Sequence, residues 1–272
     1  MNKQRIAFII MLLIKTVIAF AEDAVSPASD FSYQTNKAKT GIIIMNYIGE
    51  GGDVVVPSKI DGLPVVKIES FTQKPAQKYN SYGGMEYDYS NLPDIYSIVF
   101  PNTVTEFGEN FYCAGKRIRK IVLPKKVKNI PSFENCENIS EITMPEYAET
   151  LGSFRYCEKL KEIKLPKGIK TIGYGYFEYC KNLEYVILPE TLINIESNAF
   201  AHCYNLKEIK FPASIKEIGK WAFNNCINLQ NIEISAKNVN YDDCAFAGCY
   251  NLNLVNQKKL RNSGYKDVFR KK

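Results

Sequence analysis

The sequence predicts a repeat solenoid, mainly β with short strands and irregular or short helical convex segments, in about eight coils of 21–23 residues. Three observations predict it. Prolines recur at Pro101, Pro124, Pro145, Pro166, Pro189 and Pro212, spaced 23, 21, 21, 23 and 23 residues, and Ser235 takes the proline place 23 residues later. Cysteines recur at Cys113, Cys136, Cys157, Cys180, Cys203, Cys226 and Cys249, spaced 23, 21, 23, 23, 23 and 23. Apolar residues keep phase with both sets, most fully as Leu206, Ile209, Phe211-Pro212, Ile215, Ile218-Gly219, Ala222-Phe223 and Cys226, after which Leu229 begins the next coil.

Each element follows from that template. The last members of L-x-x-I-x-[LF] alternate at the strand period, so I-x-[LF] is a short strand with two inward residues, and the proline after it stops the strand. Gly108, Gly152, Gly173 and Gly219 mark the next turn. Ala-Phe and the cysteine complete an apolar set that no coil buries alone; stacked coils bury it in one continuous core. The coils beginning at Pro101, Pro124 and Pro145 lack two residues between proline and cysteine. Such deletions are expected on the convex or loop side, because a slip within the strand turns inward residues outward.

The repeats occupy 95–255. Residues 1–21 read as a secretory signal peptide: Lys3 and Arg5, the apolar run Ile6 to Ile14, then Ala19-Phe20-Ala21 as a cleavage signature. An uncleaved anchor is the competing reading, but Ile6 to Ala21 is 16 residues against the roughly 20 that a spanning helix needs. Residues 22–71 form an N-terminal capping unit, and 72–94 a Tyr-rich insertion, since Pro57 and Pro101 lie 44 residues apart, one coil plus 21 residues. Residues 256–272 are a basic C-terminal tail with seven basic residues and one acid; with Lys3, Arg5 and Lys15 of the leader also set aside, the body is slightly acidic despite a net charge of +6. That distribution removes the basic footprint nucleic acid requires. The tail is expected to be a solvated, poorly ordered terminus, with contact to an anionic envelope surface as the alternative.

The template L-x-x-I-x-[LF]-P-x-x-I-x-x-I-G-x-x-A-F-x-x-C, followed from Ile95 to Leu252, resembles the BspA-like, or TpLRR-type, leucine-rich repeats. The stretch Ile42 to Phe71, with Tyr47-x-Gly49 and Val56-Pro57-Ser58-Lys59-Ile60-Asp61-Gly62, is similar to the N-terminal unit typical of that family. The resemblance implies a curved leucine-rich-repeat solenoid of secreted or surface-displayed proteins, with roles in adhesion or protein binding and, in some members, extracellular-matrix partners. Unlike larger members, this chain shows no cell-wall or membrane anchor in its C-terminal sequence.

The sole histidine, His202, excludes sites that need two imidazoles. It occupies a place where other coils carry Tyr156, Tyr179 and Asn225, which marks it as an ordinary surface residue. Glu141, Glu162 and Glu208 are equivalents in one solvated column. With no phosphate loop, metal cluster or nucleophile elbow in the sequence, the expectation is a non-catalytic protein without cofactor or metal. Stacked cysteines point the same way, which favours buried thiols over bridges; Cys244 stands off the ladder. Asn138-Ile139-Ser140 is a formal glycosylation sequon.

Two features point to recognition. The outward strand residues form the columns Val99, Val122, Thr143, Lys164, Ile187, Lys210, Glu233 and Ser97, Lys120, Glu141, Glu162, Tyr185, Glu208, Asn231, with Lys164, Ile187 and Lys210 around Tyr185 as a mixed patch. The insertion carries Tyr79, Tyr82, Tyr87 and Tyr89 among Gly, Ser and Asn, a composition of adaptable binding loops, with a disordered segment as the alternative. The resulting expectation is an exported, secreted, surface or periplasmic module that binds protein partners, including extracellular-matrix or cell-surface proteins. The alternative is a structural envelope protein without a specific external ligand.

Overall fold

Equivalent residues of successive coils stack into a β-solenoid of about eight turns. The computed structural model describes residues 24–73, 76–79, 85–88, 90–109, 111–113 and 115–266; the leader assigned to 1–21 lies outside them. One strand per coil lines the inner face. Gly51–Val55, Asp94–Val99, Lys120–Val122 and Glu141–Thr143 form one parallel ladder, and Glu162–Lys164, Tyr185–Ile187, Glu208–Lys210 and Asn231–Glu233 form a second. Register pairs Ile98 with Ile121, Ile121 with Ile142, Ile163 with Val186 and Ile209 with Ile232, so the expected inward column holds within each ladder.

A lateral ladder, Thr171–Ile172, Asn194–Ile195, Glu217–Ile218 and Asn240–Tyr241, runs through the full-length coils. In the coils beginning at Pro124 and Pro145 it shrinks to a bridge between Asn129 and Thr150, while the coil beginning at Pro101 keeps Glu106–Phe107, paired with Leu63–Ile68. Full coils turn two left-handed corners. One uses the column Gly175, Asn198, Trp221, Cys244 (φ 56° to 65°) and the other Tyr179, His202, Asn225, Gly248 (φ 57° to 78°). The coils containing Phe133 and Phe154 keep the second corner, at Asn135 and Tyr156, and lack the first. The two-residue deletion therefore removes a corner beside the lateral strand and leaves the inner face in register.

Seven cysteines and a run of phenylalanines fill the same seam of the core. Phe133, Phe154, Phe177, Phe200, Phe223 and Phe246 follow one another at ring separations of 5.7, 5.7, 5.1, 5.2 and 5.1 Å, nearly parallel from Phe154 onward. Each cysteine after Cys136 donates its thiol to the phenylalanine carbonyl of the preceding coil. Cys180 Sγ lies 3.2 Å from Phe154 O, Cys203 Sγ 3.1 Å from Phe177 O and Cys226 Sγ 3.2 Å from Phe200 O. The same carbonyls accept a backbone N–H from their own coil, as Phe177 O does from Cys180 N at 3.1 Å. The ladder cysteines are buried thiols, and burial pushes Cys157, Cys180 and Cys203 above the ordinary thiol range.

The two ends are closed differently. Phe31–Thr35 and Ile42–Tyr47 form an antiparallel hairpin over the N-terminal side, its turn held by Asn36 Oδ1, which accepts from Thr40 N at 2.9 Å and Gly41 N at 3.3 Å. Phe31 meets Tyr47 edge-on, Tyr47 stacks on Phe71 and Phe71 meets Phe100, so the aromatic chain reaches the cap. Within the insertion, Ala76–Tyr79 pairs antiparallel with Met85–Asp88.

The C-terminal segment corrects the expectation of a solvated terminus. Leu254–Ser263 is a helix, N-capped by Asn253, whose side chain accepts from Asn256 N at 3.0 Å, and ended by Gly264 at φ 123°. Leu260 and Tyr265 are buried, Tyr265 edge-on to Phe246 at 5.4 Å. A last coil has no successor to cover it, so this apolar pair turns inward while Lys258, Lys259, Arg261 and Lys266 stay exposed.

Phe200→Ala or Phe223→Ala should cost about 3–5 kcal/mol, because each ring is held between two others and the cavity cannot collapse without unstacking both. Denaturant unfolding checks this, and unchanged stability in both variants would mean that the rings do not bear on the core. The ladder cysteines should react with a thiol reagent only after denaturation and without reductant; bridges found by non-reducing peptide mapping would contradict the stacked-thiol arrangement.

Candidate functional site

Pleating sends alternate strand residues out of the inner face, and parallel register aligns them into rows. Lys164 is registered with Ile187, Tyr185 with Glu208, and Lys210 with Glu233. The structure thus brings Lys164, Tyr185, Ile187 and Lys210 together on adjacent strands. Ile187 is 38% exposed. Lys210 Nζ lies 3.3 Å from Glu233, and Tyr185 is half-buried with Lys207 Nζ 5.5 Å from its ring centroid. Lys207 also pairs with Glu184. Lys207 and Glu184 were not among the residues singled out from the sequence.

The C-terminal helix adds a wall that the sequence reading lacked. Between it and the strands lies a groove of about 840 Å³, lined by Tyr185, Lys207, Glu208, Gln230, Asn231, Glu233, Asn256 and Lys259. Asn256 is buried and ties helix to strand: its Nδ2 donates to Gln230 O, and its Oδ1 accepts from Ile232 N at 3.4 Å and Lys259 Nζ at 3.3 Å. Burial, and secondarily the Glu233 charge, raise the Glu208 carboxyl above its ordinary range. The groove is polar and mixed in charge, with Tyr185 as its aromatic and Ile232 as its apolar lining residue. Of the insertion residues, Tyr79 and Tyr87 lie on hairpin strands, and Tyr82 and Tyr89 lie outside the described residues.

His202 is not the plain surface residue expected. It stacks on Tyr179 at 4.4 Å and 6°, Tyr179 stacks on Tyr156 at 5.1 Å, and Tyr204 Oη stands 3.3 Å from His202 Nδ1. Beside this column Arg155 pairs with Glu178 at 2.5 Å. Desolvation lowers the His202 pKa from 6.5, with the Glu178 charge opposing. A second column escaped the sequence reading: Asn251 donates to Asn228, Asn228 to Asn205 and Asn205 to Asn182 at 3.1 to 3.3 Å. Its signal was present as C-x-N-[LI] in phase with the cysteines. Asn138, the sequon residue, occupies this column with its Nδ2 donating to Lys116 O.

Comparison with known proteins gives a consistent result. A model described as "BspA type Leucine rich repeat region" matches residues 85–186 and 150–272, with six copies, over more than half of the chain. The crystal structure of the T. pallidum leucine-rich repeat protein (TpLRR) superposes with a TM-score of 0.59 at 28% identity, over 90% of this chain and 98% of that one. A leucine-rich repeat protein from Bacteroides ovatus gives 0.64 at 24% identity, over 83% of this chain and 57% of that one. A leucine-rich cell surface protein from Faecalibacterium prausnitzii gives 0.51 at 20%, over 85% and 88%. The latter two show the fold alone. No curated protein matches the sequence significantly.

His202 stays neutral in the fold more readily than in the unfolded chain, so its contribution to stability is full above the ordinary imidazole pKa and declines as pH falls below it. His202→Asn keeps a residue suited to the left-handed corner, as Asn225 shows in the next coil. The thermal midpoint of the parent should therefore fall further between about pH 7 and about pH 5 than that of the variant. Equal pH dependence would show that the imidazole titrates as if in water.

Proposed function

The chain belongs to the BspA-type leucine-rich repeat family, and from that premise we propose that it is an exported, non-catalytic module that binds a protein partner on its inner strand face. Proteins of this type generally act in protein interaction or at the surface. The observation that carries the reading is the placement of Ile187, exposed between Lys164 and Lys210 with the Tyr185 ring on the same strand. A partner that covers this patch desolvates an aliphatic and an aromatic side chain at its centre, while the surrounding lysines and glutamates set orientation and salt sensitivity.

The Tyr-rich hairpin supports a second contact. Tyrosine brings a large amphipathic surface at low conformational cost, and Tyr79, Tyr82, Tyr87 and Tyr89 crowd into one short segment. An adhesin follows if the partner is a matrix or cell-surface protein.

In a pull-down with candidate matrix or host-surface proteins, Tyr185→Ala with Ile187→Ser should keep the parent's thermal midpoint and weaken retention by about 2 kcal/mol or more. Changing Tyr79, Tyr82, Tyr87 and Tyr89 to Ser tests the hairpin by the same assay. If both variants retain the same proteins as the parent, neither surface is the binding site. A parent that retains nothing favours the structural envelope role.

A further inference from the structure

The column directly after the ladder cysteines changes character along the solenoid. It carries Glu137, Glu158 and Lys181 in the middle coils and then Tyr204, Ile227 and Tyr250. Ile227 and Tyr250 are 37% and 41% exposed, and the helix that follows opens with Leu254 and Val255, exposed at 81% and 65%. Leu254 and Val255 are the two most exposed large apolar residues of the described C-terminal half. They adjoin at the start of the helix as an exposed aliphatic pair.

The helix itself supplies the rest of the surface. Its buried residues are Asn256, Leu260 and Ser263. At 100° per residue the opposite face is centred on Leu254, Lys258 and Arg261, with Val255 and Asn262 at its flank, and all five are exposed. Lys259 is engaged with Ile232 O and Asn256, and Arg261 is engaged as well, so neither counts among the cations this face offers. Lys266 follows, exposed, where the described chain ends. From Cys249 to Lys266 the sequence contains no acidic residue.

We propose that this C-terminal end is a peripheral docking surface for an anionic lipid bilayer, with Leu254 and Val255 entering the interface and Lys258 and Lys266 against the headgroups. Exposed aliphatic side chains beside cations on one helix face are what such an interface selects, since burial and charge attraction act on the same contact. A second copy of the chain is a poorer occupant. A two-fold contact would bury the aliphatic pair but oppose two sets of cations, with Asp267 the one carboxylate between Cys249 and Lys272. Among the described residues no helix is long and apolar enough to cross a membrane, so the contact is superficial. It also leaves the inner strand face open to a protein partner, and it does not rest on that proposed activity.

The test is sedimentation of the chain, purified after export, with vesicles of phosphatidylcholine containing about 30% phosphatidylglycerol, against vesicles of phosphatidylcholine alone. The parent should pellet with the anionic vesicles only, and raising the salt should release it. Lys258→Glu with Lys266→Glu should lower partitioning about tenfold or more, and Leu254→Ser with Val255→Ser should lower it severalfold. Both variants change outward residues, and thermal melts matching the parent confirm that the cap is intact. Failure of the parent to pellet, equal binding to both vesicle types, or parent-like binding by both variants would overturn the proposal. So would retention on an acidic polypeptide column without vesicle binding, which would assign the patch to a protein partner.

Discussion

Everything in this solenoid depends on one spacing. Each coil must present to the next the same chemical group at the same place, about 4.8 Å further along the axis, and the Phe-Cys seam satisfies this with two interactions at once. The rings stack at 5.1 to 5.7 Å. The carbonyl of each of those phenylalanines from Phe133 to Phe223 accepts an N–H from its own coil and a thiol from the next. A valine in place of cysteine would fill the volume without supplying the donor. A serine would supply the donor but bring a more polar group into a dry seam. Cysteine meets both demands, and the burial that makes it useful also raises its pKa and withholds the thiolate through which bridges form.

The repeat tolerates change only where the spacing is not at stake. The two residues missing from the shorter coils remove a left-handed corner, and the 21-residue insertion enters between the strand Gly51–Val55 and its partner Asp94–Val99, which still pair in parallel. At the ends the same requirement asks for cover. Tyr47 and Phe71 extend the ring contacts toward Phe31, and Tyr265 closes them beyond Phe246. The aromatic series therefore runs from one cap to the other, with Phe100, Phe107 and Phe111 as its irregular middle.

What the sequence made legible is what the spacing enforces. Proline, cysteine and inward Ile/Leu positions recur because each coil must match its neighbour, so the coils, the strand face and the grouping of Lys164, Tyr185, Ile187 and Lys210 follow from phase alone. The C-terminal helix was missed because it occurs once: its Asn253 cap and its Leu260 are signals without a period, and the lysines around them dominate the composition. The stacking of His202 on Tyr179 was missed for the opposite reason. Interchange of Tyr, His and Asn in one column looks like indifference, whereas the shared demand is a positive φ with a flat side chain able to lie on its neighbour. The groove under the helix is invisible without the helix.

The outward columns carry a cost that helps to separate structure from recognition. Ion pairs join coils 21 or 23 residues apart at Lys128–Glu149, Lys167–Glu146, Lys181–Glu158 and Lys210–Glu233; exposed pairs of this kind add little stability, but they match charge only in the native register. Between Glu141–Thr143 and Glu162–Lys164 the inner face divides into its two ladders, and there continued register would set Glu141 beside Glu162, a like-charged pair that disfavours strand pairing. In the second ladder Tyr185 stands between Glu162 and Glu208 in that same column, so its ring spaces two carboxylates and carries Lys207 besides offering a contact surface. Ile187 likewise stands between Lys164 and Lys210 in the neighbouring column. That placement keeps the two lysines apart, and a partner proposed to bind there would desolvate the aliphatic side chain at the centre of the charged rows while leaving the register of the coils unchanged.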